Sequence, residues 1–241
     1  MTKRKERLDH EEEKLRSEPG DGIVMPANPF ETSVGHFWGI HGTRNYMRAR
    51  IDYIDAMKHI STYNSVQTQV EHARDMLRLC RGDNMGTRDW VPSLLLRLGR
   101  DQECYDFIKW WCITADHLDW TEPGIVHPDI RGANAFEPVT DFAHEDSELS
   151  MISALALLKI RLLLDLLALQ NSTGVPSLQE LPRETFNSIR SHVPRNSIVS
   201  QNRALQERQS VTAEIRELES QAHQLYGYVN DSNPSFWSLL L

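Results

Sequence analysis

The chain has 241 residues, 40% of them hydrophobic and 25% charged, with a formal net charge of −8. This is enough apolar material for one large domain or a domain with extensions, and too much for wholesale disorder. The negative balance argues against nucleic acid as a partner, because neutralising phosphates needs clustered Lys and Arg.

Residues 1–20 are charged and poor in apolar side chains. The basic run Lys3-Arg4-Lys5-Glu6-Arg7 gives way to Asp9 and Glu11-Glu12-Glu13, which predicts a solvated, disordered arm; the run also has the composition of a nuclear-import patch. Residues 21–42 are rich in Gly, Pro and Asn but carry Phe30, Phe37 and Trp38, predicting an irregular cap that lies on the core.

Helical periodicity begins near Thr43 and defines the segment 43–116. Over 45–60, Tyr46, Met47, Ile51, Tyr53, Ile54, Met57 and Ile60 recur at three- and four-residue steps. A second helix is predicted over 66–80, with Val70, Ala73, Met76, Leu77 and Cys80 on one stripe. Arg81-Gly82-Asp83-Asn84 then forms a turn, with Gly82 suited to a positive φ. A third helix reaches Leu98 through Trp90, Val91, Leu94 and Leu95. Pro92 must sit in its first turn or kink it. After a break at Gly99-Arg100, a fourth helix holds Cys104, Phe107, Ile108, Trp111 and Cys112. Trp110 and Trp111 point about 100° apart on a helix, so unequal burial is expected.

Residues 117–145 predict a long acidic loop. From Asp116 to Glu148 the acids include Asp119, Glu122, Asp129, Glu137 and Asp141, against a single Arg131. Residues 146–241 predict a C-terminal helical part packing on the hairpins. Its first helix, 147–170, is apolar around most of its circumference, as a central core helix would be. Ser177-Leu178-Gln179-Glu180 has the capping-box form before a short helix. A long helix is predicted from Asn196 to about Val229, followed by an apolar tail, Phe236 to Leu241, that docks on the core.

Cys80, Cys104 and Cys112, an odd number without close-spaced pairs, argue against a disulfide framework or a closed zinc site and read as small buried hydrophobes. The opening residues lack the apolar stretch of a secretory signal. The most apolar segment, 151–169, is interrupted by Lys159, Arg161 and Asp165. A charge at mid-bilayer costs about 2.5–3.5 kcal/mol even on the mildest scale. A soluble, cytoplasmic, all-α protein without a membrane span is expected.

The two predicted hairpins align at a period of about 35, which sets Gln69 on Cys104, Ala73 on Ile108 and Leu77 on Cys112. The stretch Leu98-Gly99-Arg100-Asp101-Gln102-Glu103-Cys104-Tyr105-Asp106-Phe107 resembles the join between helices A and B of a tetratricopeptide repeat. Leu77-Arg78-Leu79-Cys80-Arg81-Gly82-Asp83-Asn84 resembles the exit from such a hairpin, with Arg81 where that family usually has proline. The resemblance covers 43–116 and departs from the family at its small-residue positions, which are Met57 and Pro92 in the A helices and Met76 and Trp111 in the B helices. It implies tetratricopeptide-like hairpins packed with additional C-terminal helices. Asp83-Asn84-Met85-Gly86 and Gly99-Arg100-Asp101-Gln102-Glu103-Cys104 are also similar to an uncharacterised group of fungal proteins, some with a MYND-type zinc finger. Three scattered cysteines cannot supply the ligands of that finger.

No catalytic, cofactor or metal motif stands out. His117, His127 and His144 share the acidic loop with capable Asp ligands, yet no spacing on a helix joins any two of them. There is no Gly-x-Ser-x-Gly elbow, and Gly82-Asp83-Asn84-Met85-Gly86 lacks the Lys-Ser/Thr of a phosphate loop. The resemblance implies peptide capture. Of the inner positions that grip a peptide carboxylate in such repeats, only Lys58 has a suitable side chain here. A groove formed by Ile54, Lys58, Trp90, Leu94 and Trp111 would instead suit an apolar or helical segment of a protein partner. These residues equally suit packing against the chain's own later helices. The leading expectation is a non-catalytic scaffold for protein–protein interaction. The alternative is an enzyme or enzyme accessory using a pocket between the hairpins and the 147–170 helix.

Overall fold

In a computed structural model of the chain, the described residues are 1–114, 130–143, 147–173, 180–208 and 210–239. Their regular structure is entirely helical, apart from one isolated bridge between His36 and Cys80. By internal packing the chain divides between Leu98 and Gly99. The described first unit is residues 1–98 and the second is residues 99–114 with 130–239. The predicted hairpin segment 43–116 is thus shared between the two units.

The first unit begins with α1 (Thr2–Ser17), followed by the single turn α2 (Pro29–Thr32), then α3 (Arg44–Met57), α4 (Tyr63–Leu79) and α5 (Val91–Arg97). Residues 1–20 are therefore not the frayed arm their charge predicts. Leu8 and Leu15 bury one stripe of α1 against α3, and each contributes about 1.5–3 kcal/mol.

Helices α3 and α4 run antiparallel. Arg50 meets His72 and Asp75, while Gln69 donates to the Met57 carbonyl at 3.1 Å, so one index falls as the other rises. The turn between them is closed by its own side chains. Thr62 accepts from the Ser65 N–H at 3.3 Å to cap α4, and Ser65 and Gln69 both donate to the carbonyl of Met57 at the end of α3, which also accepts the Ile60 N–H at 2.9 Å. Phe37, Tyr46, Met47, Ile54, Met57 and Met76 form the core on which Leu8 and Leu15 sit.

The turn after α4 is built by Asp83 rather than Gly82. Asp83 has a φ of 44°, and its carboxylate accepts the N–H groups of Thr87 at 2.8 Å and Arg88 at 2.9 Å. Asp tolerates the left-handed region because its side chain bonds locally. Pro92 lies in the first turn of α5, where its missing N–H costs nothing. Gly35 (φ 94°) passes so close to Arg81 that a Cβ there would meet the guanidinium at 2.9 Å.

The second unit contains α6 (Asp101–Lys109), α7 (Leu149–Thr173), α8 (Arg183–Ser191), the single turns α9 (Ser197–Ser200) and α10 (Arg203–Gln206), and α11 (Thr212–Ser232). Helices α7 and α11 pack against each other, α11 burying Ile215, Leu218, Leu225 and Val229. The single long helix predicted from Asn196 is broken into three. Asn196 accepts from the Ile198 N–H at 2.8 Å and Asn202 from the Leu205 N–H at 3.1 Å, each starting a new turn instead of continuing the old one.

After α6 the helix widens into a π turn, Trp110–Thr114. Trp110 and Trp111 are both buried, contrary to their expected inequality. Their rings pack edge to face at 4.8 Å in the widened turn, and Phe107 adds a third ring. Of the predicted acidic loop, residues 130–143 form an ordered strip that buries Ala135, Val139 and Phe142. The remainder, with His117, His127 and His144, lies outside the described residues, as do Ser177, Leu178 and Gln179 of the predicted capping box.

Candidate functional site

Ile54 and Leu94 of the predicted groove are 0% and 4% exposed, so both belong to the interior. Lys58 and Trp90 retain surface and meet each other. The Lys58 ammonium stands 3.5 Å from the Trp90 ring centroid and 2.7 Å from Asp55 Oδ1. Cation–π contacts of this kind are worth about 0.5–1 kcal/mol at exposed sites. Trp111 is 5% exposed and lies in the second unit.

Two buried polar networks hold titratable groups. In the first unit Arg50 donates to the Tyr46 hydroxyl at 2.8 Å and to His72 Nδ1 at 3.0 Å, and pairs with Asp75, which also accepts from Arg78 at 2.7 Å. Burial, reinforced by the Arg50 charge, pushes His72 down to about 4, and burial pushes Tyr46 up to about 12. Burial would raise Asp75, but Arg50 and Arg78 outweigh it and hold its carboxyl below the usual value.

In the second unit the strip 130–143 is tied to three helices. Asp106 on α6 accepts the N–H groups of Gly132 at 2.8 Å and Ala133 at 2.9 Å. Glu137 accepts from Tyr105 and from Lys109 at 2.6 Å. Gln221 on α11 donates to the Phe136 carbonyl at 3.2 Å. Lys159 on α7 is fully buried and donates to the carbonyls of Ala135 at 2.8 Å and Glu137 at 2.9 Å. Burial lowers Lys159 to about 8, against the opposing pull of Glu137 and Glu217. A lysine near 8 has the basicity of a nucleophile. Here two of its three protons are committed to backbone carbonyls, so its role is to pin the strip.

Alongside, Arg161 Nη1 stands 2.8 Å from Asp101 Oδ1, an ionic approach rather than a directed hydrogen bond. Asp165 accepts the backbone N–H of Asn196 at 2.5 Å. Burial raises Asp101 despite Arg161, and Asp165 adds to the rise. Cys80, Cys104 and Cys112 are all buried free thiols, and burial raises Cys104. Among the described residues, no group of three His, Cys, Asp or Glu side chains converges as a metal site.

The outer face of α7 breaks the usual rule of helix polarity. Leu157, Ile160 and Leu164 are 49%, 37% and 59% exposed, whereas Lys159 and Asp165 of the same helix are buried. At 100° per residue Ser153, Leu157, Ile160, Leu164 and Asn171 share one arc, which bears no charge. A helix predicted to be central to the core thus turns two of its charges, Lys159 and Asp165, inward and Leu157, Ile160 and Leu164 outward. Trp237 stacks on Tyr226 with ring centroids 5.2 Å apart, and its Nε1 donates to the Tyr226 carbonyl at 3.3 Å, so part of the apolar tail folds back on α11.

Among the described residues no helix is long and apolar enough to cross a membrane. Comparison of the chain with protein-family models, curated proteins and solved structures gives no match.

Proposed function

We propose that the protein is a non-catalytic, tetratricopeptide-like helical scaffold that binds another protein, and that the outer face of α7 is its contact surface. The observation that carries this reading is the inverted polarity of α7. Three large aliphatic side chains face water at helical spacing while Lys159 and Asp165 of the same helix are buried and Arg161 is half-buried. Local rules broken in this way mark functional positions, and contiguous exposed apolar patches mark contacts with other molecules. The antiparallel pair α3–α4 supports the repeat-like part of the reading. The partners of His72, Asp75 and Lys159 support the non-catalytic part, since each of these groups is engaged by Arg50 or by backbone carbonyls.

The test is affinity capture from a native extract with the wild-type protein and with a Leu157→Gln/Ile160→Gln/Leu164→Gln variant. Burying an aliphatic side chain gives about 1.5–3 kcal/mol, so loss of three is expected to cut recovery of the specific partner by well over tenfold. Equal recovery by the two proteins contradicts the proposal.

A further inference from the structure

We propose that the outer stripe of α3 that begins at Arg44 and Arg48 is a second docking surface, and that its occupant is a short acidic segment of a protein partner. This goes beyond the reading of the α7 face and rests on the other unit and on other residues.

Arg44 and Arg48 stand one turn apart on α3, about 6 Å along its axis. Both guanidiniums approach the same ring. Their carbons lie 5.2 Å and 5.5 Å from the centroid of the half-buried Trp38 ring, and Arg44 Nε donates to the Trp38 carbonyl at 2.9 Å. Trp38 packs against the apolar cluster of the first unit, so the two cations rest on a fixed base.

No acid neutralises them. Arg7, Arg50 and Arg78 of the same unit hold Asp52 or Asp75, whereas among the described residues neither Arg44 nor Arg48 has a carboxylate partner. The acid spaced to pair with Arg48 on its own helix is Asp52, four residues on, and Asp52 pairs with Arg7 of α1 instead. Arg44 also opens α3, at the positive end of the helix dipole, where a cation is disfavoured. Two like charges and a dipole thus add at one place in a chain of net charge −8, and the complement of such a place is an anion.

The surroundings narrow the choice of anion. A guanidinium fork matches a carboxylate through two parallel hydrogen bonds, and Arg and Trp are the side chains that most often dominate protein interfaces. Half-buried Ile51 follows on the same stripe and offers an apolar neighbour to a peptide side chain. A nucleic acid or an anionic membrane needs a longer run of cations. The next cation of the stripe, Lys58, is already held by Asp55 at 2.7 Å. The fitting occupant therefore carries carboxylates about one turn apart with an aliphatic residue beyond them.

The test uses the full chain and a fluorescent peptide of repeated Glu-Glu-Leu-Leu. Arg44→Glu/Arg48→Glu is expected to weaken binding about tenfold or more, while Arg183→Glu/Arg195→Glu, at exposed positions of the other unit, leaves it unchanged. A peptide with lysine in place of glutamate is expected to prefer the Arg44→Glu/Arg48→Glu protein to wild type. Failure of the glutamate peptide to bind wild type, or an equal loss in the control variant, overturns the proposal. Duplex DNA or phosphatidylserine vesicles bound more tightly than the peptide, with the same dependence on Arg44 and Arg48, would assign the surface to a polyanion and overturn it too.

Should the double variant not fold, Arg48→Gln decides, because Arg48 is exposed. A loss of about threefold or more is expected, and unchanged binding overturns the proposal. Wild-type self-association abolished by Arg44→Glu/Arg48→Glu would make a second copy the occupant and overturn the external segment. The Leu157→Gln/Ile160→Gln/Leu164→Gln variant is expected to bind the peptide as wild type does; loss of peptide binding in it would move the site to α7 and remove this inference alone.

Discussion

The Nε–H of Arg50 on α3 donates to Nδ1 of His72 on α4 at 3.0 Å, a bond that requires the imidazole to be neutral at that nitrogen. A proton on Nδ1 would set two donors against each other beside a buried guanidinium, and burial already holds His72 down to about 4. Below pH 6.5 the unfolded chain therefore binds a proton that the folded chain refuses. The stabilisation is complete above about 6.5 and is lost as pH falls towards 4. Allowing for solvent screening of a partly open ring, the loss is about 1–2 kcal/mol. Urea unfolding at pH 7.5 and 4.5 is expected to show this decrement in wild type and to show it much reduced in His72→Asn, whose amide oxygen preserves the acceptor.

Asp106 anchors the strip 130–143 through two backbone N–H groups, and alanine has nothing to offer them. Asp106→Ala is expected to destabilise the protein by about 1–3 kcal/mol, the cost of partners left unsatisfied. Hydrogen exchange at Gly132 and Ala133 should rise disproportionately; slow exchange there would contradict the anchoring role.

Lys159→Met keeps the aliphatic stem and removes the ammonium. The carbonyls of Ala135 and Glu137 then lose their donor. The variant gains by shedding a buried charge and loses by orphaning two acceptors. The second effect is expected to prevail by about 1–3 kcal/mol, as thermal unfolding would report.

Lys58 and Trp90 are expected to couple weakly. A double-mutant cycle over Lys58→Ala and Trp90→Ala should return about 0.5–1 kcal/mol, in keeping with a partly exposed cation–π pair. A coupling near zero would mean that the side chains do not hold each other in solution.

The pair α3–α4 was legible because Tyr46 to Met57 and Val70 to Leu77 repeat at helical steps, and that spacing depends on neighbours in the chain alone. Gly99, with φ 69°, marked a real break for the same local reason. Helix α1 was not legible: two leucines in sixteen residues carry little periodicity, and the acid that receives Arg7 lies at Asp52, far along the sequence. Asn196 and Asn202 read as ordinary polar positions in a helical stretch, yet their side chains compete for the backbone and restart the helix. The outward face of α7 was hidden by its richness, since a helix apolar all round has no phase from which to infer its buried side. Lys159 misleads in the opposite sense, because the carbonyls that draw it inward belong to a strip of chain without periodicity.

The exposed leucines of α7 are tested most directly by placing photoreactive benzoylphenylalanine at position 164 and, as a control, at the exposed position 219 of α11. After irradiation in native extract, position 164 is expected to give a discrete crosslinked species and position 219 none. Excess wild-type protein should compete that species away, and the Leu157→Gln/Ile160→Gln/Leu164→Gln variant should not. Identical crosslinking from the two positions, or equal competition by the variant, would contradict the assignment of α7 as a binding face.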